Sequence, residues 1–73
     1  MVYYTDRLQK ARKDRNLTQR ELARLLEMRH QQYNRYETGK TAMTVEVFRK
    51  ICVILNVSSD YLLGFTDESK PLK

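Results

Sequence analysis

Cysteine, glycine, proline and tryptophan are scarce in this sequence. Its 73 residues include one cysteine, Cys52, two glycines, one proline and no tryptophan. A single cysteine excludes an internal disulfide, and no run of cysteines and histidines has the spacing of metal ligands. We therefore expect a fold that depends on packing alone, holds no metal and suits a reducing compartment.

Long apolar runs and targeting signals are also missing. No window approaches the roughly 18 apolar residues of a membrane span. The opening Met-Val-Tyr-Tyr-Thr-Asp has no charged leader followed by an apolar stretch. We expect a soluble, cytoplasmic protein without a membrane partner. Because a hydrophobic content of 41% can enclose one small core, we expect one domain over residues 1–66 and a short polar tail at 67–73.

Residues with catalytic chemistry are few and scattered. One cysteine, one histidine and dispersed acids form no nucleophile, base or metal group, and no glycine-rich loop is present to hold a phosphate. We expect no enzymatic activity, no cofactor and no small-molecule ligand. Cys52 lies in an apolar stripe, which predicts a buried core thiol rather than a redox sensor.

Positive charge is concentrated in the first part of the chain. Residues 1–40 carry ten basic and five acidic side chains, whereas residues 41–73 carry four of each, so the first part accounts for the net charge of +5. This asymmetry indicates one face turned toward a polyanion. RNA, an anionic membrane or ordinary solubility fit a basic balance nearly as well as DNA does.

Apolar periodicity and capping residues predict five short helices, with no β-hairpin signal. The predicted spans are 4–15, a segment from about residue 19, 30–36, 45–55, and a short helix from residues 58–60 that stops at residue 64. The side chains expected to face inward in the first, second and fourth are Tyr4, Leu8, Ala11, Leu22, Ala23, Leu25, Leu26, Val47, Phe48, Ile51 and Leu55.

The second and third helices are joined by a sharp turn. Thr18 and Glu21 have the spacing of a capping box, so the second helix begins at about Gln19. Only three residues separate Leu26 from His30, so the two helices must pack closely across a short turn.

The third helix has one apolar and one polar side. At 100° per residue, Tyr33 and Tyr36 fall together toward the core. The opposite side carries Gln31, Asn34 and Arg35 and has no acid. Glutamine and asparagine can pair with adenine N6 and N7, and arginine with guanine O6 and N7. Such a side could read DNA bases, although any surface helix presents a polar face of this kind.

Several short motifs occur in a fixed order along the chain. They are Arg7-Leu8, Arg12, Leu17-Thr18-Gln19, Glu21-Leu22-Ala23, Arg35-Tyr36-Glu37-Thr38-Gly39-Lys40, Asn56-Val57-Ser58 and Tyr61-Leu62-Leu63-Gly64. In this order and at this spacing they resemble the helix-turn-helix family of phage repressors, Cro proteins and XRE-like transcriptional regulators. The resemblance covers roughly residues 4–65 and implies an all-α, compact five-helix domain of the lambda-repressor type whose third helix enters the major groove.

The resemblance and the chemistry of the third helix together indicate which residues would contact DNA. The base-reading candidates are His30, Gln31, Asn34 and Arg35. Gln32 and Arg29 are secondary candidates for a DNA contact, and Arg29, at the entrance of the helix, is a candidate for the DNA backbone. His30 has two alternatives, a neutral surface position or a phosphate contact. The candidates for phosphate contact are Gln19, Thr38 and Lys40, of which Gln19 has the dipole of the second helix behind it. The resemblance also implies an ion pair between Arg12 and Glu37.

Three residues depart from the family pattern. Glu27 stands where glycine is usual in the turn, and a Cβ disfavours left-handed backbone by about 1–2 kcal/mol. We therefore expect a reshaped turn. Arg29 replaces the usual serine or threonine cap, and Tyr33 stands where a branched aliphatic residue is common.

These patterns predict a sequence-specific transcriptional regulator that binds double-stranded DNA, acts as a repressor, and uses a homodimer on a palindromic operator. The candidate dimer contacts are Tyr61, Leu62 and Phe65, although core packing is favoured over a dimer contact for the leucine. The alternatives are a protein-interaction module on the same fold, an antitoxin component, or the N-terminal domain of a longer repressor.

Overall fold

Five α-helices and no strand make up the part of the chain that the computed structural model describes, residues 4–68. This confirms the predicted all-α fold. Residues 69–73 of the predicted tail lie outside the described residues. The helices are α1 (Thr5–Asp14), α2 (Gln19–Leu25), α3 (His30–Glu37), α4 (Val45–Leu55) and α5 (Ser59–Leu63).

Local capping explains where three of these helices begin. The hydroxyls of Thr18, Thr44 and Ser58 each accept a hydrogen bond from the backbone amide three residues ahead. At α2 the Glu21 carboxylate also accepts from the Thr18 amide at 2.9 Å, which completes the predicted capping box. Arg29, at the start of α3, supplies no side-chain cap. The start of α3 therefore depends on its packing against α2.

The core lies between α1, α2, α3 and the last two helices. Its buried members are Leu8, Ala11, Leu22, Ala23, Leu26, Tyr33, Ile51, Cys52, Leu55, Val57, Tyr61 and Leu62. The predicted burial of Leu25 is wrong, since this side chain is 53% exposed. Leu25 projects about 110° away from the direction that Leu22, Ala23 and Leu26 share, so it points outward. Val47 and Phe48 are only partly buried.

Burial also decides which predicted dimer contacts are available. Tyr61 and Leu62 belong to the core of this chain, so they are not free for a second copy. Phe65 is 79% exposed, and Leu63, Val53 and Val45 are exposed nearby along α4 and α5. Tyr61 is therefore buried instead of exposed for a dimer contact, whereas Leu62 packs in the core, as was favoured for it. The reason is that α5 is a single short helix whose first inward turn fills the core.

Arginine side chains connect distant parts of the fold. Arg7 on α1 donates to the carbonyl oxygens of Tyr61 and Thr66 and pairs with the Asp67 carboxylate at 2.7 Å. Its guanidinium also lies 4.9 Å from the centre of the Tyr61 ring. Arg15 donates to the carbonyl of Leu55 at 2.9 Å. These bonds hold α1 against the C-terminal part of the domain.

The turn between α2 and α3 keeps its left-handed residue although that residue is not glycine. Glu27 adopts φ 57°, and the Met28 amide reaches back to the carbonyl of Ala23 at 3.0 Å. The expectation of a reshaped turn is therefore wrong. Ala23 is buried and small, so α3 packs close to α2 and the surrounding contacts outweigh the cost of the Glu27 Cβ.

Cys52 is buried in the core, as predicted, and desolvation raises the pKa of its thiol. Among residues 4–68, no helix has both the length and the apolar character that a membrane crossing requires.

Candidate nucleic-acid interface

The third helix, α3, has a buried side and an open side. Tyr33, Tyr36 and Glu37 are buried, and Gln31 and Arg35 are exposed. Of the other candidates on this helix, Gln32 is exposed while His30 and Asn34 are partly buried. The open side therefore presents long hydrogen-bonding side chains, and the one acid of the helix faces inward.

That acid forms an ion pair with Arg12 of α1. The guanidinium donates twice, from Nε to Glu37 Oε2 at 3.0 Å and from Nη2 to Glu37 Oε1 at 2.9 Å. The remaining Nη1 donates to the carbonyl of Leu17 at 2.7 Å. The hydrogen bond to Glu37 raises the pKa of Arg12, against the opposing effect of burial. The two residues that the family resemblance pairs thus bond in bidentate geometry and join α1 to α3.

Gln19, at the first position of α2, connects this ion pair to the open side of α3. Its Nε2 donates to Glu37 Oε1 at 3.3 Å. Its Oε1 accepts from Asn34 Nδ2 at 3.0 Å and lies 3.3 Å from His30 Nε2. Two base-reading candidates and one phosphate-contact candidate therefore form one hydrogen-bonded cluster.

The hydroxyl of Tyr33 lies beside the same pair, deep in the core. Among the described residues it has no hydrogen-bond partner. Burial raises the pKa of the Tyr33 phenol, and the nearby Glu37 carboxylate shifts it in the same direction. An aliphatic or phenyl side chain here would leave no polar atom unsatisfied.

The outer part of α3 borders an open cleft of about 370 Å³. Its side chains are hydrogen-bonding or cationic, and within it Gln32 Nε2 donates to the Tyr36 hydroxyl at 3.3 Å. The lining residues are Arg29, Gln31, Gln32, Arg35, Tyr36 and Thr41. Four predicted DNA contacts line this cleft and are exposed: Gln31, Gln32 and Arg35 on α3, and Arg29 at its N-cap.

The phosphate candidates stand at the two ends of this surface. Gln19 is at the N-terminus of α2, where the first amides have no intrahelical acceptor. Thr38 caps α3, and its hydroxyl donates to the Asn34 carbonyl at 2.8 Å. A phosphate at Thr38 would have to replace that bond, because phosphate oxygens only accept. Lys40 is exposed just after Gly39, which has φ 80°.

The positive charge of the first forty residues is divided between structure and surface. Four of the ten bases bond within the fold, namely Arg7, Lys10, Arg12 and Arg15. The other six are exposed, namely Lys13, Arg20, Arg24, Arg29, Arg35 and Lys40. Lys10 and Arg15 are exposed as well, so most of the positive charge of the first forty residues remains available to a polyanion.

Sequence reasoning missed two contributions. The bonds of Gln19 span 11 to 18 positions, and no periodicity signals a contact of that kind. The several bonds of Arg7 to the end of the domain were equally unforeseen. The only available signal was the place of both residues in the motifs of the resembled family.

Comparisons with known proteins agree with this geometry. A family described as helix-turn-helix matches residues 8–62. The chain is also similar to the SPbeta prophage-derived uncharacterized HTH-type transcriptional regulator YonR of Bacillus subtilis (strain 168), with 35% identity over 63 residues. That match covers 86% of this chain and 58% of the relative's length. No solved structure gives a significant match.

Proposed function

The chain belongs to the helix-turn-helix family, and from this premise we propose that it is a sequence-specific, double-stranded-DNA-binding transcriptional repressor of the phage repressor and Cro type. One observation carries the proposal. The open side of α3 is free of acid because Glu37, its one carboxylate, is buried against Arg12. A helix can therefore approach the phosphates of DNA without presenting a negative charge.

Gln31 and Arg35 are the outermost base readers in this proposal. Both are exposed on the open side of α3. An amide can pair with adenine, and a guanidinium with guanine, through two hydrogen bonds to the edge in the major groove. Gln32 and Arg29 border the same cleft and extend the surface at its side.

Contacts to the DNA backbone would come from the ends of the two helices. The N-terminus of α2 at Gln19 offers amides and a favourable dipole to a phosphate. Lys40 offers an exposed ammonium group beyond α3. These contacts carry no sequence information, but they supply most of the sequence-independent affinity.

A homodimer on a palindromic operator is the proposed binding form. Helix-turn-helix readers of this size commonly use two copies on half-sites about 10 base pairs apart. The exposed apolar side chains of Val53, Leu63 and Phe65 support a contact through α4 and α5. Such a dimer would repress by occupying a promoter.

The proposal is tested by selecting binding sites from a random duplex pool with the purified chain. We expect an enriched inverted repeat. The Gln31→Ala variant should relax the preference at one position of each half-site and leave the others unchanged. Absence of enrichment, with weak binding even at low salt, would contradict the proposal and favour a protein-interaction module instead.

Lys40→Ala and Lys50→Ala form a matched pair for the backbone contacts. Both lysines are exposed, but Lys50 lies on α4. If Lys40 contacts a phosphate, only its loss should lower the slope of log affinity against log salt, by about 1. Equal effects of the two substitutions would refute that contact.

A further inference from the structure

Five polar side chains form a continuous path from the core to the open side of α3. Arg12 donates to both oxygens of Glu37. Glu37 Oε1 also accepts from Gln19, whose own oxygen faces Asn34 and His30. Arg12 and Glu37 are buried, whereas the other three are partly exposed. Each hydrogen bond in this path has one donor and one acceptor, so the path has a direction, set by which group of each pair donates.

The buried end determines that direction. A guanidinium can only donate and an ionised carboxylate can only accept. Since Glu37 is fully buried and both of its oxygens are bonded to Arg12, it cannot turn away from Gln19. The Gln19 side chain must therefore direct its amide nitrogen toward Glu37 and its oxygen toward α3. This orientation follows from the chemistry of the carboxylate, independently of how the amide atoms are assigned.

The same reasoning continues to His30 and Asn34. Gln19 Oε1 can only accept, so both of its neighbours on α3 must donate to it. Asn34 uses one hydrogen of Nδ2 and keeps its oxygen available. His30 must carry its hydrogen on Nε2, which lies 3.3 Å from the Gln19 oxygen. In the neutral ring the other nitrogen, Nδ1, is then an acceptor without a hydrogen.

We propose that Glu37, acting through Gln19, makes His30 a hydrogen-bond acceptor toward DNA and so selects a base with an exocyclic amine at that position. This inference deepens the proposed function and rests on it. In the major groove, adenine N6 and cytosine N4 donate, whereas guanine and thymine present O6, N7 or O4 as acceptors. An acceptor on His30 can therefore accept a hydrogen bond from adenine or cytosine, and it is repelled by the acceptor atoms of guanine. Within residues 4–68, no other bond engages the His30 ring.

The tautomer is measured first, on the free protein. Nitrogen NMR of isotope-labelled chain at about pH 8, above the range in which histidine side chains ordinarily change charge, should find the His30 hydrogen on Nε2. The Gln19→Met variant keeps the length of the side chain but removes the acceptor, so the ring should become a mixture of tautomers. A hydrogen found on Nδ1 in the unaltered chain would overturn the proposal.

Base analogues then test the reading itself, with the enriched site of the unaltered chain as the probe. At one position of each half-site, replacing adenine by purine removes the amine and should weaken binding about tenfold. A deaza-adenine that has carbon in place of N7 keeps the amine and should bind nearly as well. If the position holds cytosine, pyrimidin-2-one replaces it for the same purpose.

Three variants assign that effect to His30. His30→Ala should abolish the sensitivity to the amine. Gln19→Met should reduce it and make guanine tolerated at that position. Gln31→Ala is the matched control, because Gln31 is exposed on the same helix and has no bond to Gln19. It should change a different position and leave this one intact.

The outcomes separate the two proposals. If a site is enriched but His30→Ala leaves every amine sensitivity unchanged, or the position opposite His30 is guanine, the acceptor role of His30 is wrong and DNA reading stands. If no site is enriched, the proposed function fails and this inference fails with it. Thermal unfolding of each variant, followed by circular dichroism, is the control for folding. Because the substituted residues are exposed or partly exposed, each variant should stay folded.

Discussion

Removing one partner of the Arg12–Glu37 pair should destabilise the domain far more than removing both. Arg12 is only 8% exposed. In Glu37→Leu its guanidinium loses two hydrogen bonds but keeps its charge. Breaking a buried pair in this way costs about 3–5 kcal/mol. We expect about 3 kcal/mol, because the end of the Arg12 side chain retains its bond to the Leu17 carbonyl.

That loss is large for so small a domain. At about 0.05–0.15 kcal/mol per residue, a chain of 73 residues has a free energy of unfolding of about 4–11 kcal/mol. The double variant Arg12→Met/Glu37→Leu removes both charges and replaces them with apolar volume. It should recover most of the stability, because paired burial of two ions contributes little net free energy.

Urea unfolding followed by circular dichroism measures both effects. The coupling between the two substitutions should persist at about 1 M salt, because buried pairs are screened much less than exposed ones. The exposed pair of Lys10 and Asp14, 3.1 Å apart, is the internal control, and Asp14→Ala should have a small effect that salt removes. A cost below about 1 kcal/mol for Glu37→Leu, or a coupling lost in salt, would refute the reasoning.

Three further predictions follow from single side chains. Tyr33→Phe removes a buried hydroxyl without a partner and should stabilise the domain by about 1 kcal/mol in urea unfolding. Since the folded pKa of Tyr33 is raised, the unaltered chain should also lose stability above about pH 10, and this variant should lose less. The backbone hydrogen bond from Thr18 lowers the pKa of Glu21, so the capping contribution is present above about pH 4.5 and is lost as the pH falls further. The unfolding midpoints of Glu21→Gln and the unaltered chain should therefore converge as the pH falls below 4.5 and through the lowered pKa of Glu21. Cys52 should react slowly with a thiol reagent in the native state, because it is buried and burial raises the pKa of its thiol. Labelling in the native state at the rate seen in urea would contradict that burial.

The features that could be predicted from the sequence are those that depend on near neighbours along the chain. The hydroxyl of Thr18 and the carboxylate of Glu21 are three residues apart, and their capping box formed as expected. The inward position of Tyr33 and Tyr36 followed from helical periodicity alone. Hydrogen bonds and side-chain directions that depend only on residues this close in sequence can be predicted without knowing how the helices pack.

The errors all concern packing between elements. Leu25 is apolar but points away from the core because α2 buries a narrower face than its composition indicates. Tyr61 was offered as a contact for a second copy because the sequence does not state how much of the core the other helices fill, and it is buried instead. Glu27 keeps a left-handed backbone because the close contact of α2 and α3 outweighs a local preference. The DNA roles of the site residues stay predictions.

The position of Glu37 gives the fold and the proposed reading surface a common cause. An apolar pair of similar volume in place of Arg12 and Glu37 would hold α1 against α3 equally well, and by the argument on buried ions it would cost the domain little. It would, however, leave Gln19 with no acceptor on its inner side. The amide could then rotate, and Asn34 and His30 would lose the fixed acceptor toward which both now donate. A buried carboxylate is thus of little value to stability here, while its ability only to accept hydrogen bonds orders three side chains on the surface that faces DNA in the proposed function.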